Sequence, residues 1–353
     1  MSLLLDVMHP AGPVGAEDGR VITVGLVNNM PDTAWEATER QFVALVRAAA
    51  NARANTPVRL KLFSITDLPR AEHVRRELAE RYRDLSELWS TRLDGLIVTG
   101  AEPRAANLRD EPYWTTLAAL VDWARLNTVS TIWSCLAAHA AVLHADGIER
   151  RPLAEKQCGV FDCKTVSVHP LTKGAAPLRP VPHSRWNDLP EQALTSCGYR
   201  ILTRSAAAGV DMFARQERNL HSLFLSLQGH PEYEAATLLR EYRRDIGRFL
   251  RGEQECYPET PQGYFSDAAS AIVDAFRTRA LGERRADLIA EFPMRALEAG
   301  LSARWQRSAI DIYERWLDYL KERKAERPTA PIARQASPRR AWRGDAGRPA
   351  ADG

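Results

Sequence analysis

The sequence predicts an α/β protein: a mostly parallel sheet flanked by helices, with a C-terminal helical extension. Three observations lead there. Short apolar runs at residues 21–28, 60–65, 96–99 and 130–135 alternate with longer segments whose apolar residues recur at helical spacing. Four further runs between residues 159 and 228 are joined only by turn-like stretches, and beyond residue 234 helical spacing dominates. Strands separated by helices pair in parallel because the crossover needs the helix, whereas strands joined by short turns pair antiparallel.

Each element follows from its residues. Residues 21–28 (VITVGLVN) are rich in β-branched side chains, as a buried strand requires. Turn-forming residues 29–33 lead into a helix over 35–50. Residues 60–65 form a second strand, 71–89 one charged amphipathic helix, and 96–99 (LIVT) a third strand ending in Gly100. Over residues 111–126, Trp114, Leu117, Leu120, Val121 and Ala124 share a helical face. Residues 130–135 (STIWSC) are a fourth strand, followed at once by a small-residue helix over 136–144. Strands are expected at 159–168, 199–205, 210–216 and 223–228, and a helix at 234–250. Residues 264–324 read as mainly helical, with Ile310, Ile312, Tyr313, Trp316, Leu317 and Leu320 in one stripe.

The chain thus divides into an N-terminal extension (1–20), an α/β domain (21–262), a helical segment packed on it (263–325) and a tail (326–353). The tail is rich in Pro, Ala, Arg and Gly and too poor in apolar residues to order itself. No internal repeat is present.

Composition narrows the function classes. The 353 residues are 45% hydrophobic and 26% charged, ordinary for a soluble globular protein. A formal net charge of +3 makes no electrostatic case for nucleic acid. No apolar run approaches the roughly 20 residues that span a bilayer, and the first 20 residues lack the basic start and apolar centre of a signal peptide. No membrane association is expected, and the cytoplasm is the expected compartment. Five cysteines, an odd number, argue against a complete disulfide framework. Cys158 and Cys163 are too far apart for a CxxC pair, and no histidine cluster sits nearby, so no metal site is expected.

Cys135 closes an apolar strand and precedes a helix, the layout of a nucleophile elbow. A helix N-terminus favours negative charge, which enriches the thiolate. Backbone N–H groups after the nucleophile can hold a developing oxyanion, worth about 3 kcal/mol per donor. Alone, a cysteine at a strand end is more often inert packing, and the local sequence Trp133-Ser134-Cys135-Leu136-Ala137 lacks the usual elbow glycines. A second strand end changes the balance. Residues 223–227 run into Gln228-Gly229-His230-Pro231-Glu232-Tyr233, which sets His230 at a sheet edge. Glu232, two residues on, reaches the same site if Pro231 turns outward. Thiol, imidazole and carboxylate then have the types and order of a catalytic triad, with Cys135 as nucleophile, His230 as base and Glu232 orienting it.

These residues resemble the class I glutamine amidotransferase-like superfamily, a flavodoxin-like fold, and within it the homoserine O-acyltransferases, the homoserine O-succinyltransferase group. The matching stretches are Asn29-Met30-Pro31, residues 94–101 (DGLIVTGA), Tyr113-Trp114, Glu155-Lys156, Gly159-Val160-Phe161, Pro182-His183-Ser184-Arg185, and residues 229–233 through Thr237-Leu238, Glu241 and Arg244. The resemblance spans about residues 21–321. It implies methionine biosynthesis by a ping-pong reaction: Cys135 takes an acyl group from acyl-CoA and the homoserine hydroxyl attacks the thioester. No cofactor is implied beyond acyl-CoA as co-substrate. The partners implied are homoserine and succinyl-CoA or acetyl-CoA, with a homodimer allowed.

Lys156, Ser184 and Arg244 match positions that contact substrate in the family. Homoserine's carboxylate suits Arg244, and Lys156 is another anion partner. Glu241 and Arg244 share a helical face and can pair. Arg185 reads as a ligand contact or a solvated loop residue. Arg104 falls where the family separates succinyl from acetyl donors by a small residue or a glutamate. An arginine is neither, but a cation can pair with the free carboxylate of a succinyl group, which favours succinyl. The family's lysines after Met-Pro are replaced by Asp32 and Thr33, which removes an anchor for donor or acceptor.

Three other readings stay open: an acetyl donor with the same mechanism, a glutamine amidotransferase-like hydrolase, and a non-catalytic member of the fold. Glutaminase activity, acyl-CoA consumption and a covalent adduct on Cys135 separate them.

Overall fold

A computed structural model describes residues 3–6, 21–52, 57–216 and 222–326. The rest of the N-terminal extension and residues 327–353 of the tail lie outside the described residues. The first half comprises β1 (Leu3–Asp6), β2 (Ile22–Val27), α1 (Trp35–Ala52), β3 (Val58–Phe63), α2 (Glu72–Arg81), α3 (Leu85–Leu88), β4 (Gly95–Val98), α4 (Trp114–Asn127), β5 (Ser130–Ser134) and α5 (Leu136–Asp146). The second comprises β6 (Arg151–Thr165), β7 (Leu178–Asp188), α6 (Glu191–Ser196), β8 (Arg200–Ser205), β9 (Gly209–Gln216), β10 (Leu223–Leu227), α7 (Thr237–Leu250), α8 (Asp267–Glu283), α9 (Met294–Glu298) and α10 (Gln306–Glu326).

Among the described residues ten strands form one sheet, in the order β1-β3-β2-β4-β5-β10-β9-β8-β6-β7. The strands from β1 to β10 in that order are parallel. From β10 through β9, β8 and β6 to β7 they are antiparallel. The parallel half and the antiparallel extension agree with the sequence reading, and the helices cover both faces.

Period-two alternation sorts the strand residues between two cores. Ile97, Ile132 and Leu225 face the core shared with α1 and α10. Leu96, Val98, Trp133 and Phe224 face the one shared with α4 and α5. The apolar stripe of α10 lies directly on the sheet: at Gly95 a Cβ would sit 2.6 Å from a Leu320 methyl and 2.8 Å from the Trp316 ring. Trp316 Nε1 donates to Ser130 Oγ at 3.0 Å, and Lys324 Nζ reaches Asp94 Oδ2 at 2.9 Å. Residues of α7, α8 and α9 form a separate cluster around Tyr242, Val273 and Leu297. No helix among the described residues is long and apolar enough to cross a membrane.

Some boundaries differ from the sequence reading. The helix expected over 71–89 breaks at Tyr82, which is extended at φ −108°. Arg83 bridges to Phe63, its N–H donating to Leu62 at 2.9 Å, and Asp84 then caps α3 through the N–H of Ser86. The strand expected at 60–65 sits two residues earlier. The helix expected from residue 111 starts at Trp114, because Glu111 is buried as an acceptor for the N–H groups of Arg104 and Ala105. The sequence reading missed β7 altogether. Pro180 and Pro182 argue against a central strand, but β7 is the last strand of the sheet, where a missing N–H costs no ladder bond.

Candidate active site

The site forms where two parallel neighbours end together. In the β5–β10 pair Leu227 lies opposite Ser134, so both chains leave the sheet at one level. Cys135 follows with φ 51° and ψ −113°. It is the only non-glycine residue at positive φ among the described residues. Its N–H donates to Leu227 at 2.7 Å, and its carbonyl accepts from Ala138 at 2.9 Å. This is the backbone geometry of a nucleophile elbow, built without the usual glycines. Ala137 and Ala138 are small and buried, letting α5 lie close. Gly100 allows the same approach from β4: a Cβ there would sit 2.9 Å from Leu136 Cβ and 3.2 Å from Leu136 N. The N–H groups of Leu136 and Ala137 come before the first bonded N–H of α5, that of Ala138, and donors at this place after a nucleophile can hold a developing oxyanion.

His230 stands at the neighbouring strand end. Its N–H donates to Pro182 at 2.8 Å. Gly229 is required by space, since a Cβ would lie 2.5 Å from Val181 Cγ1, 2.7 Å from Asp211 Oδ1 and 3.0 Å from His183 Nε2. His230 Nδ1 is 2.8 Å from Glu232 Oε1. An ionised carboxylate can only accept, so Nδ1 carries the proton and Nε2 is left for chemistry. Burial disfavours the imidazolium, but the charges of Cys135 and then Glu232 outweigh it and hold the pKa of His230 well above 6.5. The ring of Tyr233 stacks on the imidazole, with centroids 4.3 Å apart and planes 16° from parallel.

A buried pair joins the two turns from behind. Gln228 Nε2 donates to Val210 at 2.7 Å, so its Oε1 accepts from His139 Nε2 on α5 at 3.0 Å. That makes His139 a neutral imidazole protonated at Nε2. Burial, and then the charge of Arg185, push its pKa down to about 4.

Three of the residues expected to bind substrate gather beside Tyr233. Ser184 on β7 donates to Glu241 Oε2 on α7. Lys156 Nζ, from β6, lies 2.6 Å from Asp245 Oδ2 and 3.7 Å from Glu241 Oε2. Burial disfavours the ammonium, but Glu241 and Asp245 outweigh it and raise the Lys156 pKa. The expected Glu241–Arg244 pair does not form. Glu241 is taken by Ser184, Tyr233 and Lys156, and Arg244 Nε donates instead to Asp245 Oδ1 at 3.1 Å. Asp245, which the sequence reading did not single out, is the centre of the cationic side of this group. Its one signal was its place next to Arg244.

Arg185 is not brought to the site. It is 4% exposed, and its guanidinium is consumed internally by Asn187 O at 2.7 Å, Asp188 Oδ1 at 3.0 Å and Ala208 O. Side chains alternate across β7, so Ser184 faces α7 and its neighbour Arg185 points the other way. Arg104 is exposed on the rim of a cavity of about 290 Å³ that also touches Asn29, Met30, Arg70 and Tyr113. Neither Cys135 nor His230 lines this cavity. Where the resemblance suggested a lost lysine anchor, Asp32 holds a cation from elsewhere: Arg70 Nη1 lies 3.3 Å from its Oδ1.

All five cysteines are free thiols. Cys163, His183 and Asp211 converge with ligand atoms within 4.8 Å of one another, a grouping invisible to sequence spacing because it draws on three strands. His183 Nδ1 accepts from Arg185 Nε at 3.4 Å, so Nε2 carries a proton towards Asp211 Oδ1, also 3.4 Å away. Thr203 donates to the other Asp211 oxygen at 2.7 Å. The donor set is thus engaged internally, by a neutral His183 beside an Asp211 carboxylate bound by Thr203, directly behind Gly229.

Comparison with known proteins finds relatives of this chain. The profile of the family described as homoserine O-succinyltransferase matches residues 8–327. A homoserine O-succinyltransferase from Methylorubrum extorquens is 50% identical over 306 residues, covering 87% of this chain and 89% of that one. Another, from Bradyrhizobium japonicum, is 48% identical over 330 residues, 91% of this chain and 99% of that one. A solved glutamine amidotransferase from Methylobacillus flagellatus is 14% identical with a TM-score of 0.48, covering 85% and 95% of the two chains.

Proposed function

The chain belongs to the homoserine O-succinyltransferase family, and from that membership we propose that it moves the succinyl group of succinyl-CoA to the hydroxyl of homoserine through a thioester on Cys135. The observation that carries the mechanism is the strained Cys135 elbow beside an imidazole already oriented by Glu232.

In the first half-reaction Cys135 Sγ attacks the thioester carbonyl, and the oxyanion falls to the first-turn N–H groups of α5. Collapse breaks the bond to CoA sulfur, which leaves as a thiol with the proton from His230 Nε2. In the second, His230 Nε2 removes the homoserine hydroxyl proton as its oxygen attacks the acyl carbon. Collapse expels the Cys135 thiolate and leaves the proton on His230, ready for the next cycle. Excess positive charge on His230, supported by Cys135 and Glu232, suits the resting state of this cycle.

Homoserine carries an ammonium and a carboxylate, and the Lys156–Ser184–Glu241–Arg244–Asp245 group offers partners of both signs. For the donor, Arg104 supports succinyl: its guanidinium has no ion-pair partner among the described residues and stands on the cavity rim. A free carboxylate rewards that cation, and an acetyl group does not.

Intact-mass measurement after mixing with succinyl-CoA and, separately, acetyl-CoA tests both points. The expected result is one succinyl adduct, absent in Cys135→Ala and discharged by homoserine. Turnover retained in Cys135→Ala removes the mechanism, and an acetyl adduct formed in preference removes the donor assignment.

A further inference from the structure

We propose that Tyr233 is a positioning residue with two separable roles: its ring holds His230 in both half-reactions, and its hydroxyl organises the acceptor subsite for the second alone. The inference rests on the thioester reading above and assigns a residue that reading does not use.

The ring role follows from what hydrogen bonds through the ring nitrogens leave undone. Glu232 Oε1 anchors His230 Nδ1 at 2.8 Å and Cys135 is its other side-chain partner, but two such contacts leave the imidazole free to turn about the line that joins them. The Tyr233 ring covers one imidazole face at 4.3 Å and 16°, which blocks that movement and excludes water from that face. Tyr233 is itself held at both backbone ends. Its N–H donates to the His230 carbonyl at 3.2 Å, and its own carbonyl accepts from Trp305 Nε1 at 2.8 Å.

The hydroxyl does other work. It donates to Glu241 Oε1 at 2.5 Å, while Glu241 Oε2 accepts from Ser184. With both carboxylate oxygens engaged, Glu241 cannot turn, and the Ser184 proton is committed to it. The Ser184 oxygen is then left to accept from a donor such as the acceptor substrate's ammonium. None of these contacts reaches the thiol, so acylation has no use for the hydroxyl.

Two variants separate the roles. Tyr233→Phe keeps the ring and loses the hydroxyl; Tyr233→Leu loses both. Thioester formation from succinyl-CoA and its discharge by homoserine are timed separately by quenched-flow intact mass. Tyr233→Phe is expected to charge Cys135 at the wild-type rate and to discharge it on the order of 10-fold more slowly at subsaturating homoserine, the effect of one hydrogen bond to a charged group. Tyr233→Leu is expected to slow both steps, by roughly 10²-fold, the scale of a misplaced base.

Equal slowing of both steps in Tyr233→Phe, or unimpaired acylation in Tyr233→Leu, overturns the proposal. If the Leu variant loses its cooperative thermal transition, the Phe variant still decides the hydroxyl's role. The ring has a readout independent of acyl-CoA: the pH dependence of Cys135 alkylation by iodoacetamide. Its inflection should move to higher pH in Tyr233→Leu, because the thiolate loses a held imidazolium, and stay in place in Tyr233→Phe. An unmoved inflection in the Leu variant overturns the ring role even if succinyl-CoA charges no form of the protein.

Discussion

Cys135 donates its backbone N–H to the carbonyl of Leu227 at 2.7 Å, one residue beyond the end of β5. The bond carries the parallel register of β5 and β10 into the elbow itself. The thiol and the His230 turn are therefore placed by one sheet, and their relative position does not depend on a loop. Four expectations follow from this arrangement.

The elbow is strained. A side chain at positive φ costs roughly 1–2 kcal/mol relative to glycine there, partly offset by the greater chain entropy that glycine loses on folding. Of two variants that lack the thiol, Cys135→Gly should be more stable than Cys135→Ala by about 0.5–1 kcal/mol. Urea unfolding midpoints give the order directly; an alanine variant more stable than the glycine one contradicts the strained geometry.

Gly229 has no room for a Cβ, with the nearest atom 2.5 Å away and the His183–Asp211 pair close behind. Gly229→Ala should push the His230 turn forward. A displacement of about 1 Å costs roughly 10²-fold in kcat, with about 1–3 kcal/mol of stability lost to overpacking. Wild-type kcat in a folded Gly229→Ala protein would show that the turn tolerates the shift.

Arg244 and Arg185 should separate cleanly. Arg244 stands half-exposed beside Asp245, so Arg244→Gln should raise KM for homoserine roughly 10-fold while thioester formation is unchanged. Arg185 is interior, so Arg185→Met should cost about 2–3 kcal/mol of stability, as the Asn187 and Ala208 carbonyls and Asp188 Oδ1 lose their donor. Its KM, measured at a temperature where the variant is folded, should be that of wild type. A KM effect in Arg185→Met with unchanged stability would restore it as a substrate contact.

Acid should destabilise the fold through His139. Its pKa falls from 6.5 to about 4 on folding, so between those values the unfolded chain binds the extra proton. The contribution is fully present above pH 6.5 and is lost as pH falls towards 4, at most about 3 kcal/mol in all. Asp245 adds to the loss lower down: burial opposes its charge, Lys156 and then Arg244 outweigh that, and its pKa lies below 3.8. Urea unfolding at pH 7 and pH 5 should show the decline, and His139→Gln should lessen it, leaving the part due to His183 and His169, whose pKa values burial also lowers. An equal pH slope in that variant would assign the effect elsewhere.

The convergence of Cys135, His230 and Glu232 and most of the parallel half were legible in the sequence because their signals are local. An apolar run ending in Cys135 or in Gln228-Gly229-His230 marks a strand end wherever the strand lies. The resemblance added Lys156 and Ser184, which the structure does bring together with Glu241. It carried Arg185 along by adjacency, and there one-residue alternation on β7 sends the side chain to the opposite face. Asp245, the Tyr233 stack and the His139–Gln228 bond left no separate trace, since each depends on which elements become neighbours.

By itself the sequence determined the chemistry available: a thiol, an imidazole and a carboxylate at strand ends, with helix N-termini and small residues beside them. Strand ends are local consequences of hydrophobic period and turn residues. Only the tertiary structure decided that β5 and β10 are neighbours in register, Ser134 opposite Leu227. Pairing between strands some 90 residues apart is a property of the whole sheet, and it is that pairing which places Cys135 beside His230.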